Sequence, residues 1–238
     1  MIDTAEMLKI FQQHRGDAIV VPGRGGRHWT RISTQPNRDV PLGDPAMGGH
    51  ASFAFGLALA RPDQKVIVFD SEGDLLMSLG ILPMVAEHQP KNFYHFLLDN
   101  ECYATTGGQP VPNAKNICYD VIARGAGYPL AASYDNLETF AVNIERILAQ
   151  PGPVFTALKI IPEIQNDPIG KRKKWLLRSR EQVIKDLQQE IGIAAERLRG
   201  TGIDTIRAGR VILQPAILIP LRLRAPGNNH ARANSARP

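Results

Sequence analysis

Short apolar runs alternate with helix-forming segments along the first 160 residues of the chain. The runs read AIVV (18–21), KVIVFD (65–70), FYHFLLD (93–99) and PVFTALKI (153–160), and the segments between them space apolar residues as helices do. Parallel strands need a crossover between them, which a helix usually provides. This alternation therefore predicts an α/β fold: a doubly wound, mainly parallel sheet flanked by helices.

The composition of the chain changes after residue 161. Two prolines and the basic run KRKKW are followed by RSREQVIKDLQQEIG, in which Val183, Leu187 and Ile191 form one apolar stripe. We expect a C-terminal helix that covers its own domain with this stripe, and docking of the helix on a partner is the alternative. The sequence thus predicts a binding domain over 1–165, a basic linker and helix over 166–200, and a basic, irregular and poorly ordered tail over 201–238.

The formal net charge of +5 is concentrated in the tail, which contains six arginines and a single acidic residue, Asp204. Residues 1–200 are therefore neutral overall, which argues against a nucleic-acid-binding surface. No window approaches the roughly 18 apolar residues of a membrane span, and the N-terminus lacks the order of a signal peptide. Two cysteines, Cys102 and Cys118, are too few for a disulfide framework. We expect a cytoplasmic protein with no nucleic-acid or membrane partner.

Three carboxylates, Asp70, Glu72 and Asp74, fall within five positions where the run KVIVFD ends. Asn100 follows the next run, FYHFLLD, so Glu72 and Asn100 lie at the ends of neighbouring predicted strands. Ligands of open parallel sheets bind at this edge, where a carboxylate and an amide can hold one oxygen-preferring cation. The free N–H groups at the start of the next helix favour a diphosphate beside the cation, and Gly73 allows close backbone approach.

Two stretches, SEGDLLMSLG (71–80) and LLDNECYATTGGQ (97–109), resemble the GDG and NN motifs in the diphosphate-binding domain of thiamine diphosphate enzymes. The preceding text GDPAMGGHASFAFGLALARPDQKVIVFD and the turn TTGGQP are similar to the beta subunits of sulfopyruvate and phosphonopyruvate decarboxylases. The resemblance covers about residues 1–160. It implies the thiamine diphosphate-binding fold, with thiamine diphosphate and Mg²⁺ as cofactors.

The resemblance also implies roles for single residues. The acidic metal ligand falls on Glu72, the amide ligand on Asn100, and a backbone carbonyl ligand on Cys102. Met47 matches the bulky residue that holds the cofactor bent, so that its pyrimidine amine lies against the thiazolium carbon. The implied cofactor-binding residues are Arg24, Gly25, Gly26, Met47, Gly48, His50, Gly73, Asp74, Leu75, Asn100 and Tyr103.

Two positions depart from the GDG motif of the family. Ser71 replaces its first glycine, and Glu72 replaces the metal-binding Asp with a side chain longer by one methylene. Mg²⁺ tolerates little deviation from octahedral geometry at about 2.1 Å. Either the loop that carries Glu72 lies farther from the ion, or the site favours a larger ion such as Ca²⁺ or Mn²⁺, or the site no longer binds a metal. A shifted register, in which Asp74 is the metal ligand, is an alternative.

The glutamate that activates the cofactor in this family lies on a separate pyrimidine-binding domain, for which 238 residues leave no room. The catalytic residue is therefore unknown and expected on an alpha-type partner subunit, in a hetero-oligomer that decarboxylates a small 2-oxo acid. An acetolactate-synthase-like carboligase subunit is one alternative, against which the turn TTGGQP argues. A noncatalytic, degenerate cofactor-binding module is another, and the metal-binding ability of Glu72 separates it from the decarboxylase.

Overall fold

The computed structural model describes residues 1–43, 47–165, 167, 168, 171 and 174–192. The strands are β1 (Ile19–Pro22), β2 (Val66–Ser71), β3 (Phe93–Asp99), β4 (Cys102–Tyr103), β5 (Gln109–Pro110), β6 (Leu130–Tyr134) and β7 (Val154–Lys159). The helices are α1 (Thr4–His14), α2 (Trp29–Ile32), α3 (His50–Ala60), α4 (Glu72–Met77), α5 (Ile81–His88), α6 (Tyr119–Ala126), α7 (Leu137–Ala149) and α8 (Arg180–Glu190).

Five of the strands form one parallel sheet in the order β1-β2-β3-β7-β6. The remaining two, β4 and β5, pair as a short antiparallel ribbon. The predicted α/β class, with a parallel sheet flanked by helices and a C-terminal helix, is confirmed.

Side chains alternate between the two faces of the sheet and fill an apolar core on each. In β2, Val66 and Val68 enter one core, while Ile67 and Phe69 enter the other. Residues of α3, α5, α6 and α8 cover the first core, and residues of α1 and α7 cover the second. The helices α3, α5 and α6 follow strands that advance in one direction, whereas α7 leads back from β6 to β7. Because parallel crossovers are right-handed, this reversal places α7 on the opposite face.

The segment 75–88 forms parts of two helices separated by the turn 78–80, although Pro83 is the residue expected to interrupt a helix here. Pro83 lies in the first turn of α5, where a missing N–H costs no helical hydrogen bond. The chain leaves α4 at Ser78, whose hydroxyl donates a hydrogen bond to Gly48 O at 2.6 Å. The break therefore falls at a tertiary contact rather than at the proline.

The helix α8 packs on its own domain, as its apolar stripe predicts. Val183 and Leu187 are buried in the first core, and Ile191 is half-buried against it. The described residues through Gly192 belong to one compact unit, so α8 is part of the same body as the sheet. The predicted tail over 201–238 lies outside the described residues. No helix in the part of the chain that the structure describes is long and apolar enough to cross a membrane.

Candidate functional site

A cleft opens at the carboxyl edge of the sheet, where β1, β2 and β3 end. The parallel register aligns these ends, since Pro22 pairs with Phe69 and Ser71 pairs with Leu98. Nine residues predicted to bind cofactor or metal line the cleft: Arg24, Gly25, Met47, His50, Gly73, Asp74, Asn100, Cys102 and Tyr103. Four others lie outside this lining, namely Gly26, Gly48, Glu72 and Leu75.

The loop after β1 lies tightly on the end of β2. Gly23 N–H donates to Phe69 O at 2.7 Å, and a Cβ on Gly23 would lie 2.6 Å from that oxygen. A Cβ on Gly26 would lie 3.0 Å from Phe69 Cβ. Gly26 therefore packs against β2, on the side of the loop away from the cleft, whereas Arg24 and Gly25 line the cleft.

The helix α4 begins directly at the end of β2 because Ser71 caps it. The Ser71 hydroxyl accepts a hydrogen bond from Asp74 N–H, and the Ser71 backbone is extended, as is typical of an N-cap. Gly73 follows in the first turn, and a Cβ there would lie 3.0 Å from the Tyr103 ring. The missing side chain at Gly73 thus makes room for Tyr103 at the wall of the cleft.

Glu72 and Asn100 converge on one backbone group. Glu72 Oε1 and Asn100 Oδ1 each accept a hydrogen bond from Cys102 N–H at 3.0 Å. Glu101, with a left-handed φ of 66°, turns the chain after β3 so that Cys102 meets both side chains. The structure therefore brings together the three residues that the sequence predicts as metal ligands.

The Glu72 carboxyl group is fully buried and incompletely paired. Its Oε2 atom accepts no hydrogen bond from the described residues. Burial raises the pKa of Glu72 from 4.5 to about 8, because a carboxylate loses its hydration in the interior. A buried carboxylate with a free oxygen, beside an amide oxygen, suits a hard divalent cation, whose charge would keep Glu72 ionised. The residues present therefore fit a bound hard divalent cation, of which Mg²⁺ is one.

Asp74 is engaged in an ion pair. Its Oδ1 accepts a hydrogen bond from Gly48 N–H at 2.9 Å, while its Oδ2 accepts one from Ser71 Oγ and lies 3.1 Å from His50 Nδ1. Burial alone would raise the pKa of Asp74, but these partners hold it below its usual value. Burial alone would lower the pKa of His50, but Asp74 raises it. Because both oxygens of Asp74 already have protein partners, Glu72 is the better candidate for the metal ligand, which favours the motif alignment that places the ligand at Glu72.

Asp70 and His95 extend this polar cluster into the sheet. Both are buried, and His95 Nε2 lies 3.2 Å from Asp70 Oδ2. Ligand atoms of His50, Asp70 and Asp74 lie within 4.8 Å of one another. The oxygens of Asp70 already accept hydrogen bonds from Ser71 N–H and pair with His95. Each of the two buried carboxylates, Asp70 and Asp74, therefore has a histidine within 3.2 Å.

Sequence reasoning missed two charged or aromatic residues of the lining, Arg27 and Trp175. The segment after β7 brings Trp175 to the cleft, and the Trp175 carbonyl accepts a hydrogen bond from Thr30 Oγ1 at 2.9 Å. Glu163, in the same segment, pairs with Arg27 and His28. These contacts join residues 135 or more positions apart, so no local spacing signals them. The only sequence signal was an aromatic residue within a basic run.

The chain is similar in sequence to thiamine pyrophosphate enzymes. The family model described as "Thiamine pyrophosphate enzyme, C-terminal TPP binding domain" matches residues 27–157. Sulfopyruvate decarboxylase subunit beta from Methanothermobacter thermautotrophicus is 33% identical over 171 residues, which are 71% of this chain and 88% of that protein. Phosphonopyruvate decarboxylase from Streptomyces viridochromogenes is 34% identical over 171 residues, which are 71% of this chain but 42% of that protein.

The fold is also similar to those of solved enzymes. The thiamine diphosphate-dependent 4-hydroxybenzoylformate decarboxylase of Rhodococcus jostii RHA1 has a TM-score of 0.55 at 19% sequence identity, over 70% of this chain and 33% of that chain. Benzoylformate decarboxylase from Polynucleobacter necessarius has a TM-score of 0.56 at 14% sequence identity, over 67% of this chain and 33% of that chain. In sequence, the chain matches most of the length of the separate sulfopyruvate decarboxylase beta subunit, but less than half the length of phosphonopyruvate decarboxylase. The resemblance inferred from the two motifs is confirmed.

Proposed function

The chain belongs to the family of thiamine pyrophosphate enzymes, by its C-terminal TPP binding domain, and we propose that it is the beta-type subunit of a thiamine diphosphate-dependent decarboxylase of a small 2-oxo acid. Two of its relatives are named as decarboxylases of sulfopyruvate and phosphonopyruvate. The observation that carries the proposal is the convergence of Glu72 and Asn100 on Cys102 N–H at the carboxyl edge of the sheet.

Glu72, Asn100 and the backbone carbonyl of Cys102 would hold Mg²⁺, which would join this chain to the diphosphate of the cofactor. The buried Oε2 of Glu72, unpaired among the described residues, supports this assignment because an ion would satisfy it. Arg24 and Gly25 line the same cleft and would contact the diphosphate, where the guanidinium adds positive charge. The metal ligands and the loop after β1 would therefore bind the anionic end of the cofactor together.

Apolar and aromatic side chains would contact the rings of the cofactor. Met47 and Met77 line the cleft, and Tyr103 closes one wall against Gly73. When bound, thiamine diphosphate supplies a carbon nucleophile and an electron sink, which the loss of CO₂ from a 2-oxo acid requires. The part of this chain is to bind and orient the cofactor and to exclude water from one side of it.

An alpha-type partner subunit would supply the glutamate that activates the cofactor, in a hetero-oligomer. One supporting observation is that relatives of this chain are named as beta subunits. Another is the pair of exposed apolar side chains that line the cleft, Met47 at 53% and Met77 at 52% exposure. Exposed apolar side chains beside a concave polar site are typical of an interface between subunits.

Decarboxylation by the purified complex of this chain with an alpha-type subunit tests the proposal. Sulfopyruvate, phosphonopyruvate and pyruvate are each supplied with Mg²⁺ and thiamine diphosphate, and CO₂ release is measured. We expect release from at least one of them by the complex, none by either subunit alone, and none by a complex with Glu72→Gln. A complex that binds the cofactor but releases no CO₂ would contradict the decarboxylase, and a complex that binds no cofactor would favour a noncatalytic module.

A further inference from the structure

The turn that precedes α3 is hydrogen-bonded to α4 and its C-cap through both backbone polar groups of Gly48. Gly48 N–H donates a hydrogen bond to Asp74 Oδ1 at 2.9 Å. Gly48 O accepts one from Ser78 Oγ at 2.6 Å. We call Gly48, Asp74 and Ser78 the Gly48 clamp. Because Asp74 and Ser78 are four positions apart, one face of α4 and its C-cap holds the turn.

The clamp depends on close contact between the turn and α4. Gly48 has a φ of +73°, in the left-handed region, and a Cβ there would lie 3.0 Å from Met77 Cβ. His50, the first residue of α3, adds a third tie through its ion pair with Asp74. The turn therefore packs so closely on α4 that only glycine fits at position 48 without strain.

The Gly48 clamp holds the backbone directly next to Met47. Met47 immediately precedes Gly48 and lines the cleft, although 53% of its surface is exposed. An exposed side chain on a turn has few contacts of its own to fix it, so its position follows from that of the backbone. The helix that fastens this backbone begins with Glu72, the proposed metal ligand. One short helix thus links the metal end of the site to the apolar residue at its rim.

We propose that Ser78 is a positioning residue for the ring end of the cofactor, acting through the Gly48 clamp on Met47. This inference rests on the proposed function, because it takes thiamine diphosphate as the ligand. Ser78 itself is not among the residues that line the cleft. Its loss should therefore weaken contacts to the rings and leave the contacts to the diphosphate intact.

Binding of two ligands by the complex with the alpha-type subunit separates these contacts. Thiamine diphosphate has rings and a diphosphate, whereas inorganic diphosphate has only the latter, and each is titrated with Mg²⁺ in a calorimeter. We expect Ser78→Ala to weaken thiamine diphosphate binding about fivefold, the size of one hydrogen bond, and to change inorganic diphosphate binding less than about twofold. Ser78→Thr, which keeps the hydroxyl, should restore binding, and Glu72→Gln should weaken both ligands.

A double substitution tests whether Ser78 acts through Met47. If it does, Ser78→Ala should add little to the loss that Met47→Ala causes, because the residue that the clamp positions is already gone. Losses that multiply in the double variant would overturn the inference. So would an equal loss of both ligands in Ser78→Ala, which would indicate general damage to the site, or no loss of either. If the wild-type complex binds neither ligand, the proposed function itself fails, and the inference with it.

Discussion

Replacing Glu72 with Gln should stabilise the metal-free chain. Burial raises the pKa of Glu72 from 4.5 to about 8, so the folded chain binds this proton more tightly than the unfolded chain does. The wild type therefore loses stability as the pH rises from about 4.5 to about 8, and loses no more above it. Gln cannot ionise, so residue 72 does not lower the free energy of unfolding of the variant as the pH rises.

The size of the effect follows from the same shift in pKa. At pH 7 the pH lies about 2.5 units above the unfolded pKa, and at about 1.4 kcal/mol per unit the wild type has lost about 3 kcal/mol. Above pH 8 the loss reaches about 5 kcal/mol. We expect Glu72→Gln to exceed the wild type in free energy of unfolding by about these amounts, and to equal it near pH 4.5.

Urea denaturation in EDTA at pH 5, 7 and 8.5, followed by circular dichroism, measures the difference. With a slope of about 2 to 3 kcal/mol per M urea, the midpoint of the variant at pH 7 should lie about 1 M higher. A matched control, Glu145→Gln on the exposed side of α7, should change stability by less than about 0.5 kcal/mol at each pH. A Glu72→Gln chain that is less stable than the wild type, or a difference that does not grow with pH, would refute the reasoning.

Further substitutions test the packing around the site and beneath it. Gly48→Ala should cost about 2 kcal/mol of unfolding free energy by thermal or urea denaturation, because of its φ of +73° and the 3.0 Å contact with Met77. Gly56→Ala, in α3 with open space around it, should instead stabilise by about 0.5 to 1 kcal/mol, and equal effects at the two glycines would contradict this. Asp39→Ala removes the carboxylate 3.1 Å from the buried Arg15 and should cost about 3 to 5 kcal/mol, whereas a loss below about 1 kcal/mol would show that Arg15 does not depend on it.

Local patterns predict the elements of the fold that need no tertiary information. The run FYHFLLD is continuous and apolar, and β3 has its bounds. The segment 137–149 spaces apolar residues as a helix does, and Asn136 caps α7 by accepting a hydrogen bond from Thr139 N–H. The break between α4 and α5 was not predicted, because it coincides with the contact of Ser78 with the distant Gly48.

The same distinction holds for the site. Glu72 and Asn100 could be predicted to meet, because parallel strands bring their carboxyl ends to one edge. The ion pair of Asp74 with His50 and the position of Trp175 could not, because neither follows from strand order or from local spacing. They depend on how a turn and a C-terminal segment cross that edge.

Binding of thiamine diphosphate to this chain in complex with an alpha-type subunit, by calorimetry with Mg²⁺ and with EDTA, tests the central claim most directly. If Glu72, Asn100 and Cys102 hold the ion that binds the diphosphate, the cofactor should bind with Mg²⁺, and binding should be lost both in EDTA and in Glu72→Gln. Equal affinity with Mg²⁺ and with EDTA, or no binding under either condition, would contradict the claim.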